Sequence, residues 1–147
     1  MSKKKIIEVL SLLQEGFILE MKLEGETLNI KVECRHLADL IDSNYLYFYV
    51  VLKGAKNIYF VPWDDEEMSI SSVQDIRLFK PDILNVEYAD NDYIKIYSNC
   101  ENVYSGGCIY ILASDIIVFD EGLNEIKQEA LSELSDKYWY SSDEAKG

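Results

Sequence analysis

Hydrophobic and polar positions fall into short blocks whose period changes at turn residues. Ile6, Val9, Leu10 and Leu13 recur at helical spacing, with Ile7 and Leu12 widening the stripe, so a helix is predicted over residues 4–15, ending at Gly16. From residue 18 the period drops to two. Leu19, Met21 and Leu23 alternate with Glu20, Lys22 and Glu24. After Gly25-Glu26, Leu28, Ile30, Val32 and Cys34 alternate with Asn29, Lys31 and Glu33. This predicts a hairpin with one face on a core and one in water.

Residues 35–41 carry the spacing of a short helical turn. Residues 45–52 and 57–61 are apolar on both faces, which places them in the middle of a sheet or under a helix. Ser71-Ser72-Val73-Gln74 reads as a capping box opening a short helix that Lys80-Pro81 must end. Strands are predicted over 83–88 and 93–98 across the turn Asp90-Asn91-Asp92. After a polar loop over 99–107, two more follow over 108–113 and 116–119. A last helix opens with Asn124 as N-cap and buries Ile126, Ala130, Leu131, Leu134 and Tyr138.

Strands in successive hairpins, without alternating helices, make an α+β domain. Its expected architecture is a meandering, mostly antiparallel sheet of about eight strands, packed by an N-terminal and a C-terminal helix. Residues 1–140 are expected to form the single domain and 141–147 a flexible tail.

Charge changes the picture. The chain of 147 residues has 14 Lys+Arg against 27 Asp+Glu, a formal net charge of −13. Residues 1–61 carry eight of each sign, whereas residues 62–147 carry nineteen acidic and six basic residues. The whole net charge therefore lies in the second part. Phosphate-backbone binding runs on clustered Lys and Arg, so direct nucleic-acid binding is not expected. No uncharged run approaches the roughly 20 residues of a membrane span, and Glu8 interrupts the short apolar run behind Lys3, Lys4 and Lys5. Three cysteines without a C-x-x-C spacing fit reduced, structural thiols. The expected location is the cytoplasm.

Candidate chemistry is thin. A single histidine, His36, stands two residues from Cys34, the one pairing from which a nucleophile and base could be drawn. The carboxylates cluster at Asp64-Asp65-Glu66-Glu67, at Asp90 and Asp92, and at Asp120-Glu121. These are turn positions, where Asp is favoured because it bonds its own backbone. Gly106-Gly107 precedes a strand with no basic residue in a P-loop arrangement, and reads as a turn or bulge pair. No catalytic set, metal site or cofactor is expected.

The eleven tyrosines are less ordinary. Tyr45, Tyr47 and Tyr49 share one strand face, Tyr93 and Tyr97 flank Lys95 on another, and Tyr59 and Tyr110 lie on further strands. A tyrosine offers large apolar area with a polar tip at low entropic cost, which suits recognition. The anchors expected of a partner surface are Tyr47, Tyr49, Tyr93 and Tyr97. The acidic rim is expected from Asp64, Asp65, Glu66, Glu67, Asp90, Asp92, Asp120 and Glu121.

Small size, acidity, one domain, a Tyr-rich sheet and the absence of a catalytic set resemble the bacterial immunity proteins of polymorphic-toxin and contact-dependent inhibition systems. Phe60-Val-Pro-Trp63 and Tyr138-Trp139 resemble features of small bacterial proteins of this kind. The resemblance implies a non-catalytic cytosolic inhibitor that covers a basic toxin domain, as a monomer or homodimer. A small hydrolase or ligand-binding enzyme using carboxylates or Cys34/His36, and a self-associating structural domain, are the alternatives.

Overall fold

The computed structural model describes residues 2–146, with side chains described for 3–139. In chain order the elements are α1 (Ser2–Leu12), β1 (Phe17–Glu24), β2 (Thr27–Glu33), α2 (Arg35–Ala38), β3 (Tyr47–Lys53), β4 (Lys56–Pro62), α3 (Val73–Leu78), β5 (Asn85–Tyr88), β6 (Ile94–Asn99), β7 (Gly106–Leu112), β8 (Asp115–Phe119), β9 (Glu125–Ile126) and α4 (Gln128–Lys146). The chain is α+β with antiparallel strands and helices at both ends. The strands form two sheets, a five-stranded one in the order β1-β2-β3-β8-β9 and a four-stranded one in the order β4-β7-β6-β5.

The division comes from two bends. The segments 45–52 and 57–61 are not the arms of a hairpin: β3 and β4 are one strand bent at Gly54, running from the five-stranded sheet into the four-stranded one. β7 and β8 bend back alongside, so β4 pairs with β7 and β3 with β8. Gly54 takes φ +64°, and a Cβ there would stand 2.5 Å from Ser114 Oγ at the neighbouring bend. Glycine fits both demands. The Ser114 amide and hydroxyl both donate to the Lys53 carbonyl, at 2.8 and 3.1 Å, tying the bends together.

Each sheet turns its apolar residues inward. Leu28, Ile30 and Val32 of β2, Phe48, Val50 and Leu52 of β3, Phe60 of β4, Ile94 and Ile96 of β6, and Ile109 and Ile111 of β7 are buried between the layers. α1 closes one side, packing on β8, β5 and α4; its Ile6, Val9 and Leu10, and Leu13 just beyond it, are buried completely or nearly so. Each such side chain contributes roughly 2 kcal/mol of gross hydrophobic stabilisation. α3 closes the other side against β1 and β4.

Four local expectations are corrected. The pairing register of β1 shifts between Ile18 and Glu20. This bulge puts Ile18 and Met21 in the core and turns Leu19 outward at 40% exposure; Leu23 stays on Met21's side of the strand and is 42% exposed near the strand end. β4 is an edge strand and not the middle of a sheet, although α3 packs against it as the other alternative expected; Phe60 exchanges both backbone hydrogen bonds with Ile70 at 2.8 and 2.9 Å, and Pro62 has no donor to leave bare. The cap of α3 is Ser72, whose hydroxyl accepts from the Asp75 amide at 3.3 Å, while Gln74 Nε2 donates to the Met21 carbonyl of β1. Asn124 caps no helix: its amide donates to Asp120, β9 intervenes, and Ala130 of α4 is exposed.

Helical backbone continues through residue 146, and the side chains of the expected tail lie outside the described ones. Among the described residues no helix is long and apolar enough to cross a membrane.

Candidate functional site

Strand alternation fixes what the four-stranded sheet shows to solvent. With Phe60, Ile96 and Ile109 inward, Tyr59, Lys95 and Tyr110 must point outward. Pairing then sets them side by side: Tyr59 faces Tyr110, Tyr110 faces Lys95, and Lys95 faces Glu87. One row of Tyr, Tyr, Lys and Glu crosses all four strands. Tyr93 enters from the turn before β6 and Tyr97 follows Lys95 on the same face.

These side chains line an open groove of about 1020 Å³, together with Trp63, Glu66, Tyr88 and Asp90. The Tyr59 and Tyr110 rings stack at 4.7 Å and 11°. Tyr93 stands edge-on to both, at 5.5 and 6.1 Å. Trp63 lies across Gly106, where a Cβ would come within 2.6 Å of its Cε3. It covers Cys108, which occupies the outer face of β7 rather than the core and is nonetheless buried. Gly106 and Gly107 are therefore neither turn nor bulge: they open β7 and admit Trp63 on one face and Phe60 on the other.

The groove's cation is internally engaged. Lys95 Nζ stands 4.6 Å from the centroid of Tyr97 and 5.7 Å from that of Tyr110. The Tyr97 hydroxyl donates to a carboxylate oxygen of Glu87. The contact with Tyr97 holds Lys95 above the usual ammonium range, and the bond to Glu87 raises the Tyr97 phenol. Burial, then the neighbouring Tyr93 and Tyr110, raises Tyr59. Lys95, Tyr97 and Glu87 thus form one balanced chain. Glu66 and Asp90 keep carboxylates with no hydrogen bond or ion pair among the described residues.

The expected anchors are divided between the sheets. Tyr93 and Tyr97 lie in this groove with Glu66 and Asp90. Tyr47 and Tyr49 lie on the outer face of the five-stranded sheet, ring to ring at 5.5 Å, with Lys31 Nζ 4.0 Å from the Tyr47 centroid. Asp64, Asp65 and Glu67 are exposed on the loop beyond Trp63; Asp64 accepts from Ser105 and Asp65 from the Glu67 amide. Asp92 pairs with Lys3 at 3.1 Å. Asp120 does not reach a rim: it is 4% exposed and accepts the Asn124 amide at 2.9 Å, because its turn needs an internal acceptor. Glu121 accepts the Leu46 amide at 2.9 Å.

Cys34 and His36 do meet, with Sγ 3.7 Å from Nε2 and 3.9 Å from Nδ1, where β2 runs into α2. Burial pushes the Cys34 thiol up to about 12 and the His36 imidazole below its ordinary value. His36 packs on Tyr138 at 4.5 Å. A thiol held protonated beside an imidazole held neutral is a packing contact, not a nucleophile and its base. Among the described residues no group of three or more His, Cys, Asp or Glu side chains is placed to hold a metal ion.

Sequence reasoning missed Trp63, Lys95, Glu87 and Tyr88 as members of the groove. Trp63, an aromatic residue directly after a strand-ending proline, carried the clearest signal. Compared with family models, curated proteins and solved structures, the chain finds no match.

Proposed function

We propose that the chain is a cytosolic protein-binding module, most concretely an immunity-type inhibitor that receives a basic toxin domain in the groove of the four-stranded sheet. One observation carries this reading. Tyr59, Tyr93, Tyr97, Tyr110, Tyr88 and Trp63 gather in one groove on the outer side of the four-stranded sheet, and Glu66 and Asp90 stand in it with no hydrogen bond or ion pair among the described residues. Aromatic rings with short, stiff side chains supply anchor area, and the free carboxylates favour Arg or Lys of the partner. Lys95 does not oppose such a partner, because Glu87 balances it through Tyr97.

The test compares partner capture by the wild type with capture by Tyr93→Ala/Tyr110→Ala, whose truncations lie on the outer face and leave the core intact. The expected result is a basic protein retained by the wild type, lost at least tenfold by the variant, and neutralised in cells by co-production of the wild type. Equal retention by the variant overturns the groove. A partner with no toxic activity to suppress overturns the immunity role.

A further inference from the structure

The charged residues that line the groove itself are Glu66, Glu87, Asp90 and Lys95, three acidic and one basic. Lys95 and Glu87 balance each other through Tyr97, which leaves Glu66 and Asp90. These two stand at opposite ends. Glu66 lies on the loop that follows β4 and Asp90 on the turn that follows β5, and β4 and β5 are the outer strands of the sheet. Each has an aromatic residue three positions away that lines the same groove, Trp63 before Glu66 and Tyr93 after Asp90. Among the described residues the cations over rings are Lys31 on Tyr47 and Lys95 on Tyr97 and Tyr110, so neither Trp63 nor Tyr93 carries one.

A ring beside a carboxylate discriminates between the two cationic side chains. A guanidinium is planar and weakly hydrated. It stacks on a ring face and offers a fork of N–H donors to both oxygens of one carboxylate. An ammonium is a compact, strongly hydrated charge, and one carboxylate meets only part of its three donors. The place in the groove that serves an ammonium from two rings is already taken by Lys95, 4.6 Å from the Tyr97 centroid and 5.7 Å from that of Tyr110.

We propose that the groove selects arginine over lysine, seating one arginine side chain at each end, at Trp63 with Glu66 and at Tyr93 with Asp90. The proposal rests on the reading of the groove as the surface for a basic partner, and names the side chain that partner brings. Four strands spaced about 4.8 Å apart make a sheet roughly 15 Å across, and an extended segment of six residues reaches about 20 Å, so one short segment can engage both ends.

The test is calorimetric titration of the full chain with two peptides of equal length and charge, hexa-arginine and hexa-lysine. The wild type is expected to bind hexa-arginine about tenfold or more tightly than hexa-lysine. Trp63→Leu/Tyr93→Leu removes both rings and no charge, and is expected to bring the two peptides within about twofold of each other. Glu66→Gln/Asp90→Asn removes both charges and no ring, and is expected to weaken hexa-arginine about tenfold or more. Glu66 and Asp90 are exposed, so this second variant keeps the fold whatever the first does. Equal affinity of the wild type for the two peptides overturns the proposal without any variant. So does an arginine preference that survives loss of both rings, or hexa-arginine binding that is indifferent to loss of both carboxylates. The two readings fail separately. A basic partner captured in the groove with no arginine preference overturns this inference alone, whereas an arginine preference with no toxin to suppress overturns the immunity role alone.

Discussion

Cys34 and His36 show how burial sets chemistry at single residues. A working dyad needs a thiolate beside an imidazolium; here the thiol is pushed to about 12 and the imidazole lowered from 6.5. Alkylation at mildly alkaline pH should therefore leave Cys34 unmodified in the folded protein and modify it fully after unfolding. His36 is the single histidine, so its ring resonances give one clean titration, with a midpoint expected below 6.5. Linkage fixes the signs. The unfolded chain protonates His36 first, so stability is lost as pH falls below 6.5 through the depressed folded value. The unfolded chain ionises Cys34 first, so stability is lost again as pH rises from 9.0 toward 12. Urea midpoints should fall at both ends, and His36→Phe should flatten the segment just below pH 6.5. The two glycines of β7 give a second residue-scale contrast. A Cβ on Gly107 meets fully buried Phe60 and the Val61 carbonyl, whereas one on Gly106 meets Trp63, 41% exposed and free to swing out, and also the Ser98 carbonyl at 2.7 Å, which is not. Overpacking costs roughly 1–3 kcal/mol, so Gly107→Ala and Gly106→Ala should both fall near the upper end in a denaturation midpoint, and only Gly106→Ala should also shift Trp63 emission.

At the scale of elements, α3 depends on one side-chain cap. Ser72 accepts the Asp75 amide, and removing the hydroxyl in Ser72→Ala should cost about 1 kcal/mol in a denaturation midpoint. The sequence placed this helix correctly and named the wrong serine, because Ser71 and Ser72 both fit a capping pattern and only the packing of Gln74 on β1 decides between them. The same limit recurs elsewhere. Periods of 2 and 3.6 reveal strands and helices one by one, and the α+β class follows from their order. Whether residues 45–62 make a hairpin or one bent strand is invisible to periodicity, since both leave the same apolar pattern; Gly54 and its contact with Ser114 settle it. The groove was half legible for that reason. Tyr97 follows from alternation within β6, and Tyr93 from the same period carried one residue ahead of it. The row that joins Tyr59, Tyr110, Lys95 and Glu87 depends on register across four strands, and the register slip within β4 ahead of Tyr59 has no sequence mark.

At the scale of the molecule, the two sheets draw on differently charged parts of the chain. The five-stranded sheet draws three strands from the neutral part of the chain, and the four-stranded sheet draws three from the part that carries −13. A partner in the groove would then meet two kinds of residue with separable kinetic signatures. Exposed carboxylates at an interface rim act on encounter, while desolvated aromatic anchors act on dissociation. Glu66→Lys should slow association several-fold at low ionic strength, lose that effect as salt screens it beyond a Debye length of about 10 Å at 0.1 M, and leave the off-rate nearly unchanged. Tyr93→Ala should leave the on-rate and its salt slope in place and raise the off-rate tenfold or more, equivalent to about 1.4 kcal/mol or greater. Asp120→Asn should behave as neither, because its carboxylate is spent inside the turn that carries Leu123. Surface-plasmon kinetics at several salt concentrations separate the three. An on-rate indifferent to Glu66→Lys at low salt would remove the electrostatic part of the mechanism and leave only the aromatic groove.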